Sequence, residues 1–371
     1  MTTKENGKLV VNRRRFLQLG GMGLAGAVIA ACGGGAGSTT TTAAGTATTA
    51  APGTTAAAGG GITANLSSIS IGDFNPNYAA QWGYHMADAL GYFDEVGIED
   101  IEYVLSEEYV PGLIGGSLHL AHADTNVIIG SAHESGEPLK IISLYRVNEW
   151  QIMGVAAGIE EPEDLIGKNI TGGQLEGRNT VVQRQILERM GIDPSQVNFV
   201  PTSGGSDARL QALITNTVQG ASVFPRHRFA LEEAGGKFIY EELFPAPQEC
   251  FAAMGPWLEE NHDTAVAFIV AELRGRQFVM DPANKDQAFD MMVERGFEIP
   301  DEFRELYQVE IDQFSPDGGF DVEAMDTFIE ELKQTGDVPE GAEWRDYVDF
   351  TYLWEAQDIL GIPRNPDPDA L

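Results

Sequence analysis

Six short segments bring together residue types able to hold a small polar or aromatic molecule. Asp73-Phe74-Asn75-Pro76-Asn77-Tyr78, with Trp82 one helical turn further on, sets short polar side chains beside aromatic plates. Asp124-Thr125-Asn126 offers hydroxyl and amide groups that serve equally to cap a helix or to meet a ligand. Gly172-Gly173-Gln174-Leu175-Glu176-Gly177-Arg178-Asn179-Thr180 reads as a Gly-rich strand-to-helix loop, whose exposed backbone N–H groups receive an oxyanion. It lacks the Gly-Lys-Ser/Thr ending of a phosphate-binding P-loop. Ser203-Gly204-Gly205-Ser206-Asp207 forms a second such loop, with Asp207 placed to cap its helix. Phe224-Pro225-Arg226-His227 adds an aromatic wall and a cation, and Arg146-Val147-Asn148-Glu149-Trp150 carries charges of both signs. Trp150 reads equally as a hinge packer and as a ligand plate.

Catalysis finds little support in these residue types. No Ser/His/Asp arrangement stands out, and His119 and His122, three apart on a strand, point to opposite faces. The two cysteines, Cys32 and Cys250, cannot build a disulfide framework, a Cys-based zinc site or an iron–sulfur cluster. A binding function with no cofactor and no metal is expected. A bare anion asks for cations with few acids nearby. Here Asp73, Asp124, Glu149 and Glu176 stand against Arg146, Arg178 and Arg226. Stacking on aromatic side chains suits a flat heterocycle, each contact supplying about 1 kcal/mol beyond area burial. The expected ligand set is Asp73, Asn75, Tyr78, Trp82, Thr125, Asn126, Trp150, Gln174, Arg178, Phe224 and Arg226. A net charge of −33 repels phosphate backbones, so nucleic acid is not an expected partner.

The N-terminus reads as an address. Asn12-Arg13-Arg14-Arg15-Phe16-Leu17 precedes an uncharged, Gly-rich apolar stretch that ends in Ile29-Ala30-Ala31-Cys32. The first motif resembles a twin-arginine export signal and the second a bacterial lipobox, in which Cys32 is lipidated and becomes the first mature residue. From Gly33 to Gly61 every residue is Gly, Ala, Ser, Thr or Pro, the composition of a flexible tether. Such a tether has a root-mean-square span of roughly 30 Å. Residues 1–31 are therefore read as a signal peptide and 32–61 as a lipid-bearing tether on the extracytoplasmic face of a cell membrane.

Beyond Ile62 strands and helices alternate, which implies β-α-β units and a mostly parallel sheet. Leu66–Ile71, Ile101–Leu105, Leu118–Ala123 and Leu139–Leu144 read as strands, with Tyr78–Val96 a long helix. A second set runs through Gln151–Ala156, Lys168–Thr171, Val197–Val200, Gly220–Phe224 and a final edge strand Lys237–Tyr240, with Asn179–Met190 strongly amphipathic. Cys250–Met254 returns as a strand, and the chain is predominantly helical from Trp257 to Leu360.

Gly91-Tyr92-Phe93-Asp94-Glu95-Val96-Gly97-Ile98 resembles a segment of the sulfonate, nitrate and thiamine-precursor group of type II periplasmic binding proteins. Pro162-Glu163-Asp164-Leu165-Ile166-Gly167-Lys168 and Leu187 to Asp193 are similar to later blocks of that family, in the same order. Phe224-Pro225-Arg226 stands where the family carries a Trp-Glu-Pro pattern, so the family's acidic residue does not carry over. The resemblance implies an α/β, two-lobe venus-flytrap with a helical C-terminal section. Residues 62–148 plus 250–371 would form lobe 1 and 149–249 lobe 2, with ligand in the cleft outside the carboxyl ends of the strands. It implies a monomeric solute-binding lipoprotein that delivers ligand to an ABC permease and its ATPase. Riboflavin or a thiamine pyrimidine precursor is the leading ligand. A small anion such as an alkanesulfonate or nitrate is the alternative, and a pyrimidine-synthesising enzyme on the same fold a lesser one.

Overall fold

A computed structural model describes residues 4–5, 8–9, 61–73, 81–105, 108–299 and 303–371. Of the expected site residues, Asn75, Tyr78 and Cys32 lie outside them. Eight strands form one mixed sheet: β1 Ser68–Asp73, β2 Asp100–Leu105, β3 Leu120–Asp124, β4 Leu139–Val155, β5 Asn169–Thr171, β6 Asn198–Phe199, β7 Gly220–Ser222 and β8 Lys237–Met254. Their order is β2-β1-β3-β8-β4-β7-β5-β6. The β1/β2, β1/β3, β5/β6 and β5/β7 pairs are parallel, whereas β8 runs antiparallel to β3 and β4, and β4 to β7.

The sheet departs from expectation at its centre. Leu139–Leu144 and Gln151–Ala156 are not separate strands but parts of the 17-residue β4, and Lys237–Tyr240 is the start of the 18-residue β8, not an edge. Polar Arg146, Asn148 and Glu149, with Pro245 and Pro247, read as breaks in the sequence, because proline donates nothing to a ladder. The two strands tolerate them through a bulge: pairing jumps from Pro245↔Asn148 to Glu249↔Arg146, leaving residues 246–248 looped against one. These two strands are the crossovers between the lobes.

Helices cover the sheet: α1 Trp82–Ala89, α2 Tyr92–Glu95, α3 Tyr109–Ile114, α4 Thr125–Ser135, α5 Arg178–Arg189, α6 Gly205–Ile214 and α7 Arg228–Glu233. The C-terminal section adds α8 Gly255–Glu260, α9 His262–Met280, α10 Lys285–Glu294, α11 Phe303–Ile311, α12 Val322–Thr335 and α13 Thr351–Leu360. The helix expected over 78–96 breaks at Gly91, whose φ of 79° turns the chain between α1 and α2.

Three apolar cores follow from the strand alternation. The largest joins Ile69 and Ile71 of β1 to Phe251 of β8 and to α9 and α13, so the C-terminal helices belong with the first strands. In the second lobe, neighbouring Ile152 and Met153 point to opposite faces of β4. Met153 packs with Ile170 and Ile186 under α5, and Ile152 with Leu210, Leu213 and Val223 under α6.

Candidate functional site

The carboxyl ends of β1, β3, β5 and β7 face the space between the two groups of cores, the position where open α/β sheets hold ligands. Asp124 ends β3 and occupies the residue before α4, yet its side chain makes no capping bond. Its Oδ2 instead accepts from the Tyr109 hydroxyl at 3.4 Å, and that hydroxyl accepts from the Asp124 backbone N–H at 3.3 Å. Burial, then the Glu249 charge, pushes the Asp124 carboxyl up to about 6. Asn126 follows half-buried on the first turn of α4. Thr125 is fully buried beside the Cys250 thiol and cannot reach a ligand in the cleft, a correction to the expected set.

Behind Asp124 lies a buried ion network on the crossover strands. Arg146 donates to Glu249 Oε1 at 3.0 Å, to Gln313 Oε1 at 2.7 Å and to Glu310 Oε2 at 3.3 Å. His122 Nε2 lies 3.2 Å from Glu249 Oε2. Burial would raise the Glu249 carboxyl, but Arg146 and His122 outweigh it and hold it at about 2. Burial raises Glu310, opposed by the same arginine.

From the second lobe come the Gly-rich loop, the start of α6 and the turn after β7. At Gly172 a side chain would collide with the Thr180 backbone, so only glycine lets the loop fold onto the start of α5. The Thr180 hydroxyl donates to Gln174 O at 2.7 Å, leaving the Gln174 side chain exposed at the loop's outer edge. Phe224 stands half-buried with the Arg226 guanidinium 4.7 Å above its ring, and Arg226 donates to Ser206 Oγ at 2.8 Å. His227 Nδ1 accepts from the Phe224 backbone at 3.1 Å, so Nε2 carries the proton facing Asp207 at 3.1 Å. Burial and Arg226 lower that imidazole to about 4, and a neutral histidine fixes the turn.

Three further expectations are corrected. Trp82 is fully buried, edge-on to Phe289 at 4.8 Å and beside Phe303 and Tyr307; it is core, because helices of the C-terminal section close over it. Trp150 donates its indole N–H to Val309 O at 2.8 Å and packs against the core under α6. Arg178 donates to Glu149 Oε2 at 2.7 Å, lies 3.6 Å from Glu331 Oε2 and sits 5.0 Å over Phe328, so it ties α5 to α12. A groove of about 330 Å³ runs beside that tie, walled by Arg178, Arg189, Phe244 and Phe328, away from the strand ends. The backbone of Asp73 ends β1 opposite Leu105 of β2.

Arg209 is absent from the residues expected at the site. It is only 5% exposed, and its Nε donates to Ser222 O at 2.7 Å at the end of β7. Its Nη1 lies beside the loop glycine Gly173. It makes no close ion pair among the described residues; the charge of Asp207 acts on it from farther off, opposed by that of Arg226. An arginine on the buried face of α6, next to Leu210 and Leu213, is the signal that reading missed. Among the described residues no group of three His, Cys, Asp or Glu could hold a metal ion, and no helix is long and apolar enough to cross a membrane.

A family described as NMT1/THI5 like matches residues 77–285, more than half of the chain. The chain belongs to the NMT1/THI5-like family. No curated protein matches it. Solved structures similar to this family member share its fold. A putative periplasmic sulfonate-binding protein of an ABC transporter from Methylobacillus flagellatus is 16% identical with a TM-score of 0.61, covering 82% of this chain and 99% of that one. The periplasmic nitrate-binding protein from Synechocystis PCC 6803 is 14% identical with a TM-score of 0.59, over 82% and 93%. A desulfurization enzyme is 10% identical with a TM-score of 0.55, over 78% and 99%. This NMT1/THI5-like chain therefore has the two-lobe periplasmic binding protein fold.

Proposed function

We propose that this protein is the extracytoplasmic solute-binding lipoprotein of an ABC importer, tethered at Cys32, which binds an anion-bearing organic solute without turning it over and hands it to a permease with an ATPase. One observation carries the choice of solute: Arg209, buried at the strand ends, makes no close ion pair among the described residues, with the charge of Asp207 acting on it only from farther off. Arginine stays charged, and a buried charge without a close counter-ion is costly. An incoming anion offsets that cost.

The flat heteroaromatic ligand, riboflavin or a thiamine pyrimidine, loses two of its expected walls to packing, Trp82 and Trp150, and keeps Phe224. The alternative small anion gains Arg209 beside Gly173 and the start of α6. It also agrees with the sulfonate and nitrate bound by proteins of this fold. A thermal-shift screen over alkanesulfonates, short carboxylates, nitrate, riboflavin and aminopyrimidines tests this, since a ligand of the folded state raises its melting temperature. Anions should stabilise wild type but not Arg209→Gln. Stabilisation by riboflavin or a pyrimidine that ignores Arg209 would overturn the reading.

A further inference from the structure

Two helices of the C-terminal section bury one face in the core of the first strands and touch the second lobe with another. Met325, Phe328 and Leu332 of α12 and Phe303 and Tyr307 of α11 belong to the core that holds β1. From α12, Glu331 reaches across to α5: its Oε1 accepts from Gln185 Nε2 at 3.4 Å, and its Oε2 lies 3.6 Å from Arg178 Nε. Arg178 and Gln185 are two helical turns apart and so share one face of α5. From α11, Val309 O accepts the indole N–H of Trp150, which packs against the core under α6. The helix α5 covers the other core of the second lobe, so the two contacts lie on opposite faces of the sheet.

The contacts differ in kind. The α11 contact is a hydrogen bond to main chain from a crossover strand. At the α12 contact no apolar core is shared, because Phe328 belongs to the first-lobe cluster and Ile186 of α5 to a separate one. One carboxylate, met by one guanidinium and one amide, joins the helices there, and the Arg178 and Glu331 side chains stay 12% and 21% exposed. Further along α5 the groove of about 330 Å³ lies between Arg189 and the start of α12 at Glu323. A polar contact beside open space, between two complete cores, parts without unfolding either core. Arg178 keeps its bond to Glu149 Oε2 at 2.7 Å when Glu331 leaves, so release strands no buried cation. We propose that α12 is a latch between the lobes, made of the protein's own side chains, which opens when Glu331 parts from Arg178 and Gln185 while α11 stays on Trp150.

Hydrogen exchange and small-angle X-ray scattering of the full chain test the latch, the N-terminal segment being common to every sample. Glu331→Ala removes the bridging carboxylate and leaves Phe328 in its core. The radius of gyration should rise above that of wild type. Backbone amides of both α12 and the first two turns of α5 should exchange about tenfold faster, tenfold being about 1.4 kcal/mol. Those of β1 and β3 should change by less than about twofold, which shows that the core is intact. Gln185→Ala, which removes one of the two contacts, should give smaller shifts in the same direction. An unchanged radius of gyration in Glu331→Ala, faster exchange confined to α12, or acceleration of β1 and β3 along with α5, would overturn the latch.

Discussion

Arg146 and Glu249 face each other in the ladder of the two crossover strands, and the guanidinium donates to the carboxylate at 3.0 Å. The pair sits at the bulge where pairing jumps, with Glu310 and Gln313 of the C-terminal section completing the shell. The bulge between the two long strands is therefore held by an ion network, not by an apolar joint.

Removing the cation leaves buried Glu249 with His122 alone and buried Glu310 with the Gln313 amide alone. Arg146→Ala should cost about 3–5 kcal/mol of stability. Denaturant melts of wild type and variant measure it; a loss below about 1 kcal/mol would show a solvated pair.

The same pair sets acid stability. Folded Glu249 titrates at about 2 against 4.5 for an unperturbed glutamate, so it binds its proton less readily than the unfolded chain. Its contribution is fully present above pH 4.5 and falls as pH drops toward 2. Glu249→Gln should flatten the melting curve against pH across that window.

Asp124 gives stability its own pH dependence. Its carboxyl titrates at about 6, facing Tyr109 from α3, His122 on its own strand, Arg146 from β4, and Glu249 and Cys250 from β8. That lies above the unfolded value of 3.8, so ionising it opposes folding and stability should fall as pH rises from about 4 through 6. Asp124→Asn should remove that slope.

Two packing positions separate structure from binding. Trp82→Ala should cost about 3–5 kcal/mol through the cavity left against Phe289 and Tyr307. It should not change the order of solute preference. Gly275 of α9 lies so close to the Gly83 carbonyl of α1 that a methyl group has no room, and Gly275→Ala should cost about 1–3 kcal/mol.

Cys32→Ala should move the protein from the membrane to the soluble fraction, read by fractionation of cells. Unchanged membrane retention would contradict a lipid anchor at that residue.

What could be read in advance divides along physical lines. The order of strands and the loops at Gly172, Ser203 and Phe224 were legible because periodicity and glycine are local signals. The long crossover strands were not, since Pro245 and Pro247 look the same in a loop and in a bulge. Trp82 could not be told from a ligand plate because its partners Phe289, Phe303 and Tyr307 lie about 200 residues away in sequence. Arg178 read as a cleft cation because Glu331, which holds it from α12, is equally remote. Arg209 was missed for the opposite reason: a charge on a helix reads as solvated unless the carbonyl that buries it, Ser222 O, is known.

The most direct test is a crystal structure of the protein with the solute that stabilises it most in the thermal-shift screen. The solute should lie against Arg209, intact, at the ends of β5 and β7. Solute in the groove beside Arg178 and Phe244, or a chemically altered molecule in the cleft, would contradict the account.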